Sequence, residues 1–116
     1  MSSNVVLLFI AAAMAAFTFF LRRAGTISGT QARQLVNDGA RLVDVRSPGE
    51  FSSGHINGAM NIPIDRLAER PGQLKNKAKP VVVYCASGAR SARAKSLLER
   101  EGYTSVNNLG PMRRWQ

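Results

Sequence analysis

The sequence predicts an α/β fold on a largely parallel sheet. Three observations carry that expectation. From residue 41 onward, short apolar runs that read as strands alternate with segments of helical period, the order that lays strands side by side with helices packed over them. One run, VVVY at 81–84, is apolar at every position, as suits a central strand covered on both faces. The chain of 116 residues has room for one domain, and it carries no internal repeat and no low-complexity tail.

The first 21 residues carry no ionisable side chain, and Val5 to Leu21 reads VVLLFIAAAMAAFTFFL. As a helix this stretch extends about 25 Å, short against a bilayer core of about 30 Å but within the range of spanning helices. A cleavable signal peptide competes with this reading. It would need a basic leading segment, and Met1-Ser2-Ser3-Asn4 has none; the alanines of 11–16 can mimic a cleavage site, but Phe17-Thr18-Phe19-Phe20-Leu21 follows them. A buried core helix competes less well, because a stretch without a polar face gains little on so small a domain. The expectation is therefore a transmembrane anchor over 1–21, a juxtamembrane linker over 22–29 and a folded domain over 30–116. Arg22 and Arg23 follow the span directly, and basic residues mark the cytoplasmic flank. That makes a single-pass inner (cell) membrane protein with its domain on the cytoplasmic side.

Within the linker, Thr26–Ile27 is a candidate brief strand. Ser28 with Gln31 three residues later resembles a capping box, with Thr30 as the alternative cap. Gln31–Asp38 then reads as a helix with Leu35 and Val36 inward, ended by Gly39. Arg41–Val45 is a buried strand. Ser47–Phe51 is a turn or short helix opened by Pro48. His55–Ile64, with Gly58 and Pro63, is an edge strand or loop. Asp65 can cap a helix carrying Leu67 and Ala68, which Pro71 and Gly72 interrupt. Lys75, Lys77 and Lys79 line a solvated turn before the central strand. Ser91–Glu101 is a helix with Ala92, Ala94, Leu97 and Leu98 inward, stopped by Gly102, and Thr104–Leu109 is the last strand.

All 16 Lys and Arg and all 7 Asp and Glu lie in residues 22–116, and the net charge is +9. Such a balance suggests anionic partners. Nucleic acid is disfavoured, since no reader motif is present and aromatic residues are sparse outside the N-terminal stretch. Anionic lipid is the simplest partner for a tethered domain. The single cysteine forbids an internal disulfide and suits a reducing compartment.

That cysteine, Cys85, ends the central strand, where open α/β sheets bind ligands. The loop Ala86-Ser87-Gly88-Ala89 is small throughout, so its N–H groups can face inward as an anion-binding concavity. The helix opening at Ser91 adds its positive end, and Arg90 adds a permanent cation. These features hold an anion over the sulfur and favour thiolate over thiol. The plainer alternative is a cysteine that simply packs in the core.

The segment VVVYCASGARSARAKSLLEREGY closely resembles the active-site segment of single-domain rhodaneses, the thiosulfate sulfurtransferases. LVDVRSPGEFSSGHINGAMNIP (42–63) and GYTSVNNLGPMRRW (102–115) resemble two further signatures of that family, in the family's order and spacing. The resemblance covers 26–115. It implies a rhodanese-like three-layer sandwich around a mainly parallel five-stranded sheet. It implies Cys85 as the catalytic nucleophile, with Ala86, Ser87, Gly88, Ala89, Arg90 and Ser91 as the substrate-binding loop. The Cys-x4-Arg spacing matches persulfide-forming loops; related phosphatases and arsenate reductases carry one more residue, which argues against phosphate chemistry.

The implied reaction is ping-pong. The Cys85 thiolate takes the sulfane sulfur of thiosulfate, or of a protein persulfide, and a thiol or cyanide then takes it on. No metal or organic cofactor is implied. Ala86 and Ser87 stand where many thiosulfate-using members have Arg or Lys, which points to a protein persulfide as the better donor. Arg93 and Lys95 on the following helix can compensate in part. LGPMRRW replaces the usual Gly-Gly step, so that turn should differ. By resemblance, Asp44, Arg46, Glu50 and His55 are structural supports: Asp44 and Arg46 a pair near the loop, with Asp44 a candidate brace for Arg90, and His55 a turn-holding residue rather than a base. Trp115 should close the sheet edge. A non-catalytic rhodanese-like module that recruits a partner to the membrane is the rival reading.

Overall fold

The computed structural model describes residues 2–116, the side chains of residues 17–24 excepted. Helix α1 (Ser3–Ala24) precedes the folded domain. The expected membrane anchor is overturned: among the described residues, no helix is long and apolar enough to cross a membrane. The placement in the inner membrane with a cytoplasmic domain falls with it, as does the membrane partner. The part of the expected span at 17–21 lies outside the described side chains.

The sheet holds β1 (Arg41–Asp44), β2 (Met60–Asn61), β3 (Val81–Cys85) and β4 (Val106–Pro111) in the order β2-β1-β3-β4, and every pairing is parallel. The all-apolar run is the centre: all five residues of β3 are buried. Successive side chains of a strand face opposite ways, so β3 feeds two cores. Val81, Val83 and Cys85 meet Ile64 and Leu67 of α4 (Ile64–Glu69) and Ala94 and Leu98 of α5 (Ala89–Glu101). Val82 and Tyr84 meet Ala32 of α2 (Gly29–Asn37), with Met112 and Trp115 of a terminal 3-10 turn (Met112–Trp115) packed against that cluster. The result is a helix–sheet–helix sandwich.

Four strands stand where five were expected. Ile27 donates one backbone bond to the Asn108 carbonyl (2.9 Å). Only residues 25–27 separate the end of α1 from the cap of α2, too few to extend that bond into a ladder. The cap itself is as expected: Ser28 accepts from the Gln31 N–H and Gln31 accepts from the Ser28 N–H. Other boundaries moved. Asp65 does not cap α4; Pro63 occupies that position without a side-chain bond. α5 starts at Ala89 rather than Ser91, Ala92 is exposed and Lys95 is buried in its place. β4 runs on to Pro111 because a bulge at Leu109 shifts its register against β3. The Asn108 side chain accepts from the Gly110 N–H across that bulge (2.8 Å), which brings Pro111 opposite Cys85.

Candidate active site

Cys85 ends β3 at the carboxyl edge of the sheet, and the chain turns at once into α5. The turn is tight because Gly88, the N-cap of α5, takes φ +107°, a conformation that glycine reaches without strain. It aims backbone donors at the sulfur. The Gly88 N–H donates to Cys85 Sγ at 2.9 Å and the Ser91 N–H at 3.4 Å, and Ser91 Oγ lies 3.4 Å away. Burial pushes the thiol up, but the Ser91 hydroxyl and the N–H groups of Ser91, Gly88 and Ser87 outweigh it, and the net shift is downward. Hydrogen bonds to the charged form hold the proton off. Cys85 is fully buried beneath its loop.

The cationic partner expected over the sulfur is engaged elsewhere. Arg90 makes a two-pronged ion pair with Glu50, at 2.6 and 3.0 Å. Glu50 lies on α3 (Pro48–Ser52) and also accepts from the N–H and hydroxyl of Ser47, closing a capping box there. The Arg90 guanidinium, then the Ser47 N–H, hold the Glu50 carboxyl at about 2. The loop is therefore tied to α3 by a neutralised pair, and the groups that act on the sulfur are the Ser91 hydroxyl and the loop amides.

Asp44 braces Arg46 rather than Arg90. The pair is buried, with Arg46 Nη2 and Nε at 2.7 and 3.0 Å from Asp44 Oδ2, and the Arg46 N–H on Asp44 Oδ1. Arg46 Nη2 also donates to the Gly54 carbonyl (2.7 Å), pinning the loop between α3 and β2. His55 lies on that loop, stacked on Phe51 at 3.6 Å, with Nδ1 2.8 Å from the Phe51 carbonyl oxygen. The loop residues Ser87, Gly88, Arg90 and Ser91, with Glu50, form one assembly around Cys85; Asp44, Arg46 and His55 support the turn beside it. Ala86 and Ala89 provide slim backbone.

Sequence reasoning missed three contributors. Asn61 donates to the carbonyls of Asp44 and Arg46 (3.0 and 2.9 Å), fixing the end of β1. The Tyr84 hydroxyl accepts from the Ile56 N–H (3.1 Å), and burial pushes that hydroxyl well up. The Pro111 ring lies against Gly88: a Cβ there would stand 3.6 Å from Pro111 Cδ. Ser47-x-x-Glu50 carried a readable signal, the same cap spacing as Ser28-x-x-Gln31. Among the described residues no group of three or more His, Cys, Asp or Glu gathers where it could hold a metal ion.

The profile of the rhodanese-like domain matches residues 28–116. An uncharacterized protein of Bacillus subtilis, YqhL, is 37% identical over 97% of this chain and 93% of its own length. The human thiosulfate:glutathione sulfurtransferase is 36% identical over 79% of this chain and 93% of that protein. Among solved structures, the human single-domain sulfurtransferase TSTD1 superposes with a TM-score of 0.68 at 34% identity, covering 78% of this chain and 93% of that one.

Proposed function

The chain belongs to the rhodanese-like domain family, and on that premise we propose that it is a sulfurtransferase that carries sulfane sulfur as a persulfide on Cys85. The observation that supports this reading is the ring of polar groups on a buried sulfur: the Gly88 and Ser91 N–H groups donate to it at 2.9 and 3.4 Å, and Ser91 Oγ lies 3.4 Å away. An ordinary core cysteine has no use for such a ring. A nucleophile that must be ionised does, and the same donors suit the sulfur-borne charge of a persulfide.

In the first half-reaction the Cys85 thiolate attacks the outer sulfur of thiosulfate. A new S–S bond forms, the old one breaks, and its electron pair leaves with sulfite. In the second, an acceptor thiolate attacks the outer sulfur of the protonated persulfide; the acceptor departs as a persulfide and Cys85 returns as thiolate. Thiosulfate is the donor in the name of the human relative, and glutathione the acceptor. The Glu50–Arg90 pair leaves the cradle weakly charged for a dianion, which favours a protein persulfide as the better donor. Because Cys85 has no exposed surface, the loop must open for either partner to reach it.

That burial also favours a second reading, a non-catalytic binding module. The two part on one experiment. Incubation with thiosulfate, then intact-mass measurement without reductant, should add one sulfur to the wild type and none to Cys85→Ala. No gain with thiosulfate or with a protein persulfide would leave the binding module.

A further inference from the structure

The outward face of α5 starts at the cysteine loop and carries cations without acids. Ala89, Ala92, Arg93, Ser96 and Arg100 are exposed, and at about 100° per residue they fall on one side of the helix. Ala94 and Leu98, on the other side, pack in the core that holds Cys85. Glu99 and Glu101 are half-buried on the flanks, and Glu101 pairs with Lys77 at 3.6 Å. Arg93 and Arg100 form no ion pair among the described residues. We propose that this face docks the sulfur donor, an acidic protein that presents a cysteine persulfide to the loop. The proposal rests on the sulfurtransferase reading.

Size separates a protein from a small anion. Arg93 and Arg100 stand seven residues apart, about 10 Å along the helix. Thiosulfate cannot touch both; an acidic protein surface can. Arg90, the cation closest to the sulfur in sequence, is held by Glu50 at 2.6 and 3.0 Å. The charge that selects a partner therefore lies along the helix rather than over the sulfur. A nucleic acid would answer the same charge but brings no sulfane sulfur for Cys85.

The face is also in place before a partner arrives. At its start the Gly88 carbonyl accepts from the Ala92 N–H (3.1 Å), and at its end the Gly102 N–H donates to the Glu99 carbonyl (3.1 Å). A surface fixed in the free protein spends little binding energy on ordering. Arg93 lies two residues beyond Ser91, whose N–H reaches Cys85 Sγ. A partner seated on Arg93 thus stands over the loop that must open.

The transfer balances without a further reactant. The Cys85 thiolate bonds to the outer sulfur of the donor persulfide, which keeps its proton. The donor's S–S bond breaks, and its electron pair stays on the donor cysteine as a thiolate.

Two short blocked peptides test the face, each with one cysteine persulfide, flanked by glutamates in one and by glutamines in the other. Loading of Cys85 in the full chain is followed by intact mass at low ionic strength. The glutamate peptide should load the wild type about tenfold faster, and Arg93→Glu should lose about tenfold with that peptide. The same variant should stay within about twofold of wild type with the glutamine peptide. Lys79→Glu makes the same change in net charge on the exposed turn at the opposite end of β3, and should lose less than about twofold with either peptide. Equal losses in the two variants overturn the proposal. So do equal wild-type rates with the two peptides, a loss in Arg93→Glu that is as large with the glutamine peptide, or loading by thiosulfate alone. Failure of Cys85 to load from thiosulfate and from both peptides would instead overturn the sulfurtransferase reading, and the docking role with it.

Discussion

Cys85 is held by what surrounds it rather than by what it is. A thiol with no exposed surface should titrate high, yet amides and a hydroxyl bring it below its ordinary range. Gly88 supplies both the left-handed turn and the shortest of those bonds. Gly88→Ala keeps ordinary van der Waals distances to Pro111 but forces a Cβ into that turn, at a cost of roughly 1–2 kcal/mol. Denaturant unfolding should register that loss, and persulfide loading should slow with it, since the N–H moves off the sulfur. Glu50 gives a second residue-level expectation. Its folded value of about 2 lies below its ordinary 4.5, so its contribution to stability is complete above about 4.5 and fades as pH falls toward about 2. The stability gap between wild type and Glu50→Gln should therefore be wider at pH 7 than at the acid end of that window, measured by denaturant midpoints. Which arginine would meet which carboxylate was not legible in the sequence. Asp44, two residues before Arg46, and Glu50, forty before Arg90, are equally plain as letters; the fold alone decides between near and distant partners.

At the scale of elements, periodicity and punctuation served well where local physics governs. The cap at Ser28, the apolar run of β3 and the stop at Gly102 follow from side-chain chemistry a few residues either way. Elements decided by distant contacts did not read correctly. The bulge in β4 depends on Asn108 folding back onto Gly110. On α5, Ala94, Leu97 and Leu98 face the core as expected, but Ala92 is exposed and Ser91 and Lys95 are buried. Thr26–Ile27 became a single-bond contact rather than a strand. The start of α2 shows the same dependence on the far end of the chain: a Cβ on Gly29 would run into the Arg114 carbonyl oxygen. Gly29→Ala should force α2 and the terminal 3-10 turn apart, costing about 1–3 kcal/mol as overpacked sites do, visible as a lower denaturant midpoint. Because Met112 and Trp115 ride on that turn, the Trp115 fluorescence should shift as well.

Over the whole molecule, the α/β class and the parallel sheet were written in the alternation of strands and helices. The N-terminal stretch was not. Its composition resembles that of a spanning segment, but among the described residues no helix is long and apolar enough to cross a membrane. The charge of +9 acts at this scale too. It concentrates anions around a site whose own arginine is neutralised, so the second-order rate with dianionic thiosulfate should fall severalfold as ionic strength rises through about 0.15 M. The rate with a neutral thiol acceptor should stay flat. The central claim, that one amide-ringed sulfur stores and passes on sulfane sulfur, is tested most directly by the intact mass of the full chain after thiosulfate treatment. The account predicts the gain of one sulfur atom, mapped to Cys85 and lost on adding cyanide. An unchanged mass with both thiosulfate and a protein persulfide, while Cys85 remains a reduced thiol, would contradict it.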